Sequence, residues 1–151
     1  MVYRLTYVSA VSSLATTTLA AAMQDILAVS VFNNRRDGLT GLLLCDGDLF
    51  AQALEGDEAL VEACFTRILA DPRNVGPIVR QRGAADERLF PRWSMCAVTL
   101  SARDDALLAP GDIGYDLARA SAGALLQTLA GVAERYGPQL DAEHARLLRR
   151  A

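Results

Sequence analysis

Apolar and polar positions alternate with period two over Val2–Ser9. Tyr3, Leu5 and Tyr7 fall on one face, and Arg4, Thr6 and Val8 on the other, which predicts a first strand. Ala10–Thr18 is small and polar, so it predicts a loop ending in helix-capping threonines. The period then lengthens. Leu19, Met23, Ile26, Leu27, Ser30 and Asn34 share the face of a helix over Leu19–Asn34, with Gly38 as a left-handed C-cap. That stripe begins apolar and turns polar at Ser30, Asn33 and Asn34, as it would on reaching solvent or on facing a ligand with a hydrogen-bonding end.

Two short apolar runs, Leu39–Leu44 and Leu49–Leu54, flank Cys45-Asp46-Gly47-Asp48 and predict a β-hairpin. Gln52 is the anomaly within it. Alternation places Gln52 on one face with Phe50 and Leu54, and a buried amide is costly unless its donors and acceptor find partners. Asp57 caps a second helix, Glu58–Ala70, with Leu60, Val61, Cys64, Phe65 and Ile68 inward, and Asp71-Pro72 ends it. Strands follow at Val75–Arg82 and Trp93–Leu100. In the last, Trp93, Met95 and Ala97 are expected on one face and Ser94, Cys96 and Val98 on the other.

The order βαββαββ predicts an α+β, ferredoxin-like sheet, mainly antiparallel, with two helices on one face. Ser101–Gly114 reads as a linker, Tyr115–Tyr136 as an amphipathic helix with Leu125, Leu129, Val132 and Tyr136 as its stripe, and Asp141–Arg150 as a last short helix after the Gly137-Pro138 break. That stripe requires cover, and the free face of the sheet is the expected place for it. The domain division is therefore 1–100 for the sheet and its helices and 101–151 for the linker and C-terminal helical extension.

Composition narrows the chemistry. A chain of 151 residues that is 52% hydrophobic suits one folded domain with a large core. No apolar run approaches the ~20 residues of a spanning helix, so a soluble, cytoplasmic protein without a membrane partner is expected. A net charge of −3 gives no broad basic field for nucleic acid. Cys45, Cys64 and Cys96 form no CxxC pair, and the single histidine, His144, lies near the C-terminus, which argues against a metal site. The sequence offers no nucleophile–base pair or carboxylate dyad. In this topology Tyr7, Gln52, Asn33 and Asn34 converge with Trp93-Ser94-Met95, and Ile26 and Ile68 are placed to clamp a flat ring; the set suits a planar heteroaromatic.

Tyr7 in LTYVS, Asn33-Asn34, LTGLLL, FAQALEG, ILADPR and ERLFPRWSM stand in one order over about Tyr3 to Leu100, and this series resembles the BLUF domain, a blue-light sensor using FAD. The resemblance implies a noncovalently bound flavin, FAD first, with FMN and riboflavin as alternatives. It implies that Tyr7 gives an electron and a proton to the excited flavin, and that Gln52 bridges the tyrosine hydroxyl and the flavin edge. Asn34, with Asn33 and Ser30 nearby, would hold the other side of the ring, Ile26 and Ile68 would flank it, and Arg67 and Asp71 would meet its polar margin. Trp93 and Met95 would alternate in the pocket beside Gln52 and pass the change along the fifth strand. The implied output is a downstream partner protein or a rearranging homo-oligomer, without substrate turnover. The other reading is a non-photoactive ferredoxin-like ligand-binding or oligomerisation module.

Overall fold

The computed structural model describes residues 1–16, 18–100 and 117–150, so the predicted linker Ser101–Gly114 lies outside the described residues. The strands are β1 (Val2–Val11), β2 (Thr40–Cys45), β3 (Leu49–Gly56), β4 (Asn74–Ala85) and β5 (Ala97–Thr99). The helices are α1 (Ser13–Thr16), α2 (Leu19–Asp37), α3 (Glu58–Leu69), α4 (Ala122–Arg135) and α5 (Gly137–Arg150), with a 3-10 turn at Leu117–Arg119. In the sheet they run β4-β1-β3-β2-β5. Every pairing is antiparallel except β2 with β5. This is the expected α+β sheet, with its fifth strand added beside β2.

β1 and α2 both run past their predicted ends. β1 continues because Val11 still pairs with Asn74 and donates to Asp48 O at 2.8 Å. Ser13–Thr16 forms a single helical turn where a loop is predicted. Thr18 occupies the N-cap of α2 but makes no side-chain capping bond, contrary to expectation. Gly38 does close α2 in the left-handed region, at φ 70°, with its N–H directed at Arg35 O and Asn34 O. Asp57 caps α3 by accepting from Leu60 N–H at 3.2 Å, although the Leu60 side chain itself is exposed rather than inward.

Each face of the sheet has its own core. Leu5, Tyr7, Phe50 and Leu54 lie beneath α2 and α3, packed with Met23, Leu27, Val31, Val61 and Phe65. Val8, Leu42, Leu44, Ala51 and Ala53 form the opposite face, covered by Leu125, Leu129 and Val132 of α4 and by Leu140 of α5. The predicted stripe is therefore buried where expected. Gly137-Pro138 does not part the two helices by a long break. Pro138 sits in the first turn of α5, where its missing N–H removes no helical bond. α5 then contacts α2, and Leu147 joins the core on that side.

The fifth strand departs from prediction. Regular pairing covers only Ala97–Thr99. Before it, Gly41 N–H donates to Trp93 O at 3.1 Å and Leu43 N–H to Cys96 O at 2.8 Å. Three residues of β2, Gly41–Leu43, thus run beside four of the partner segment, Trp93–Cys96, an extra residue of the kind that makes a bulge. The alternation is broken there: Trp93 packs with the core under α4 and α5, whereas Met95 lies in the core under α2 and α3. The single face expected for Trp93, Met95 and Ala97 is therefore broken at Trp93, and Met95 is the one of the pair beside Gln52. Gly41 permits the arrangement, because a Cβ there would lie 2.1 Å from Ala53 O and 3.1 Å from Met95 Cε.

A buried ion pair ties the segment before Trp93 to the sheet. Arg4 and Glu55 are cross-strand partners, and Arg4 Nε donates to Glu55 Oε2 at 2.8 Å. Glu55 is fully buried and also accepts the backbone N–H groups of Leu89 at 3.0 Å and Phe90 at 2.7 Å. Removing one partner of such a pair strands the other charge. Glu55→Ala is expected to lower stability by roughly 3–5 kcal/mol in chemical denaturation. A loss under about 1 kcal/mol would place the pair among inconsequential surface bridges.

Candidate functional site

The register of the sheet brings the first two site residues together. Tyr7 in β1 is directly opposite Gln52 in β3, and Leu43 in β2 flanks Gln52 on its other side. Opposed residues on one face have Cβ atoms about 5 Å apart, within reach of a phenol and an amide. Tyr7 Oη donates to Gln52 Oε1 at 2.5 Å. The Tyr7 ring packs at a tilt on Phe65, centroids 5.3 Å apart. Burial, with smaller contributions from Cys64 and Asp71, pushes the phenol far above its ordinary pKa. Tyr7 therefore keeps its proton and acts as a hydrogen-bond donor at rest.

Gln52 is only 4% exposed, and its Nε2 donates to the sulfur of Met95 at 3.4 Å. A thioether is a weak acceptor, so one end of this amide is held loosely. Asn34, the last inward residue of the α2 stripe, is buried too. Its Nδ2 donates to Ser94 O at 2.9 Å, and its Oδ1 accepts, among the described residues, from the Cys64 thiol alone, at 3.8 Å. The change from apolar to polar along α2 thus marks where the helix reaches a shared space, rather than solvent.

That space is a cavity of about 240 Å3 between α2, α3 and the sheet. Tyr7, Ile26, Ser30, Asn33, Asn34, Gln52, Arg67, Ile68 and Asp71 all line it, so every residue proposed to hold the ring borders one cavity. Trp93 and Met95 do not line it; Met95 stands behind Gln52, and Trp93 is on the far side of the sheet. At the margin, Arg67 approaches Asp37 at 3.8 Å, and Arg73 grips Asp71 and holds its carboxyl below the usual range. Asn74 also lines the cavity, although sequence reasoning gave it no role. Its Nδ2 donates to Ile68 O and Asp71 O, both at 3.0 Å, while its Oδ1 is buried without a partner among the described residues.

Weakly committed amides at one end, two isoleucines at the middle and an unsatisfied acceptor at the margin fit a planar, hydrogen-bonding ring with a hydroxyl-bearing tail. Residues 2–96 match the family described as BLUF, sensors of blue-light using FAD. The chain belongs to the BLUF family.

Membership makes this a flavin-binding, blue-light-sensing domain. Among solved structures, the domain is similar to BlrB, a BLUF protein in its dark state, at 33% identity and a TM-score of 0.71, covering 85% of this chain and 95% of that one. It is also similar to BlsA in its photo-activated state, at 28% identity and a TM-score of 0.75 over 85% of this chain and 92% of that one. A photoactivated adenylate cyclase subunit alpha-like protein of Euglena gracilis is 34% identical over 76 residues, half of this chain and 8% of that protein. The blue light- and temperature-regulated antirepressor BluF of Escherichia coli (strain K12) is 31% identical over 94 residues, 61% of this chain and 23% of that protein. The chain thus matches less than a quarter of the length of either relative. Among the described residues no helix is long and apolar enough to cross a membrane.

Two contributors to the BLUF site escape a reading of the sequence. Glu55 and Asn74 act through partners that no local pattern announces: Glu55 through Arg4 and the 89–90 backbone, Asn74 through the turn after α3. The only signal for Glu55 is its strand position opposite Arg4 once the register is known.

Proposed function

We propose that the protein is a photoreceptor in which Tyr7 and Gln52 form the switching pair, without turnover of a substrate. The observation that supports it is the short bond from Tyr7 Oη to Gln52 Oε1, with the other end of the same amide resting on Met95. Bound flavin, FAD in this reading, supplies blue absorption and an excited electron acceptor, and the easily oxidised phenol of Tyr7 is placed to serve it. Ile26 and Ile68 would keep water from a bound ring, and Asn34 would orient it by hydrogen bonding. Gln52 provides the memory. If the amide turns end for end or tautomerises, the group meeting Tyr7 and the group meeting Met95 both change character. A buried polar group left unpaired costs roughly 1–3 kcal/mol, enough to bias a two-state element.

The output reading follows from position. Residues 1–100 sense and residues 101–151 form the extension, α4 and α5 covering the sheet face away from the cavity. The signal would leave through that covered face to a partner protein or a second copy of the chain. Relatives whose names describe an adenylate cyclase subunit and an antirepressor are consistent with varied outputs.

Tyr7→Phe keeps the ring volume and removes the hydroxyl. It is expected to retain flavin and to lose the reversible red shift of the flavin bands under blue light. A full-amplitude shift in that variant would reduce Tyr7 to packing. For Gln52→Leu, folding and flavin binding are expected to survive with stability changed by no more than about 1–2 kcal/mol, since leucine suits the strand face but leaves the Tyr7 hydroxyl unmatched. Spectra and denaturation curves of that variant check both halves, and loss of the fold would instead assign the amide a structural role.

A further inference from the structure

The bulged segment that separates Trp93 from Met95 is held from both sides. On the cavity side, Asn34 Nδ2 donates to Ser94 O at 2.9 Å and Gln52 Nε2 to the Met95 sulfur at 3.4 Å. On the other side stands α5. Asp141 accepts from Trp93 Nε1 at 3.0 Å and from Arg92, whose guanidinium lies over the Trp93 ring. One turn further along, His144 Nε2 meets the Ser94 backbone N–H at 3.1 Å and Ser94 Oγ at 2.9 Å.

We propose that His144 is a positioning residue of the flavin site: as a neutral, Nδ1-protonated ring it holds Ser94, and through Ser94 it fixes the Asn34 amide and the neighbouring Met95 sulfur. The tautomer follows from the contact. A backbone N–H can only donate, so Nε2 must present its lone pair, and in a neutral imidazole the proton is then on Nδ1. A protonated ring would set N–H against N–H and leave the buried Ser94 amide without an acceptor. The single residue Ser94 would thereby couple the titration of α5 to the cavity, since its carbonyl and its amide belong to adjacent peptide units of one short segment.

The electrostatic surroundings favour the neutral ring. Burial lowers the His144 pKa most, and Arg35 of α2 lowers it further; Asp141 on its own helix raises it. Asp141 is itself engaged by Arg92, and Glu143 pairs with Arg146 at 3.7 Å, so the nearby carboxylates are already matched. Because the folded value lies below the ordinary histidine value of ~6.5, the hold on the Ser94 backbone N–H is complete above that value and is lost as pH falls through the folded one, when Nε2 can only donate, to Ser94 Oγ.

The proposal rests on the photoreceptor reading for its optical consequence, but not for its geometry, and the test keeps the two apart. His144 is the only histidine in the chain, so its ring signals in long-range 1H–15N spectra of the full protein need no assignment. In darkness at pH 8, Nε2 is expected to be unprotonated and Nδ1 protonated, with a titration midpoint below that of a free histidine. The second arm follows thermal recovery of the dark spectrum after a blue pulse, across pH, for the parent protein, His144→Gln and His144→Leu. Parent recovery is expected to change roughly three- to ten-fold through the His144 midpoint, the effect of one such hydrogen bond. His144→Gln, whose amide oxygen can accept from Ser94 without titrating, should keep the high-pH rate at all pH. His144→Leu should keep the low-pH rate throughout.

An Nε2-protonated tautomer, a midpoint at or above the free value, or a parent profile that His144→Leu leaves unchanged would each overturn the proposal. If no flavin is bound or no red shift occurs, the photoreceptor reading fails, and the tautomer and midpoint alone then sustain or overturn the hold on Ser94. A His144→Leu protein that does not fold leaves the parent spectra and the glutamine variant to decide it.

Discussion

A buried primary amide must be fed from all sides, and the site is built around that requirement at Gln52. Its oxygen has a strong partner in the Tyr7 hydroxyl, and its nitrogen a weak one in the Met95 sulfur. The inequality matters. A fully satisfied amide would be locked, and an unsatisfied one would unfold the strand or admit water. Strong pairing on one side and loose pairing on the other leaves an alternative orientation within a few kcal/mol, the range in which a transient chemical event can change which state is populated. The hydrophobic neighbours Phe50 and Leu54 serve the same end, since they exclude the solvent that would make any rearrangement cheap and indifferent.

The segment Trp93–Cys96 is where this local choice can become a structural one. One extra residue lets side chains two apart serve opposite faces of the sheet, Trp93 the C-terminal helices and Met95 the Gln52 amide, while Ser94 between them bonds Asn34 through its carbonyl and His144 through its N–H. Its upstream end is fixed by Glu55, which collects Arg4 and the backbone at 89–90, and its downstream end by the parallel ladder with β2. A short stretch pinned at both ends and bonded on both faces is suited to transmit a small displacement rather than absorb it.

Much of this was legible in the sequence because it depends on periodicity. Period-two alternation placed Tyr7, Phe50, Gln52 and Leu54 on one face, and the helical stripe placed Ile26, Ser30 and Asn34 over them. The structure brings these to one cavity. Alternation misplaces Trp93 because it assumes an unbroken ladder, and the three-against-four register of Gly41–Leu43 with Trp93–Cys96 breaks it. The glycine that makes room for Met95 is visible in LTGLLL, but its function depends on what approaches it across the sheet. Glu55 and His144 were opaque for a related reason. Their partners lie about fifty residues away in sequence, and neither helical nor strand spacing relates them. The extension stripe was legible as a surface requiring cover, whereas the crossing of α5 toward α2 was not, since it depends on the angle between packed helices.

The 93–96 segment joins the Gln52 amide to the C-terminal helices. Amide hydrogen exchange, measured on the flavin-loaded protein in darkness and under steady blue light, reads whether that junction carries the light-driven change. Exchange is expected to be faster in the light at Ser94–Cys96 and in residues 137–150, with Arg4–Leu5 and Leu54–Glu55 unchanged. Equal protection of Ser94–Cys96 and of α5 in both conditions, in a protein whose flavin bands do shift, would contradict it.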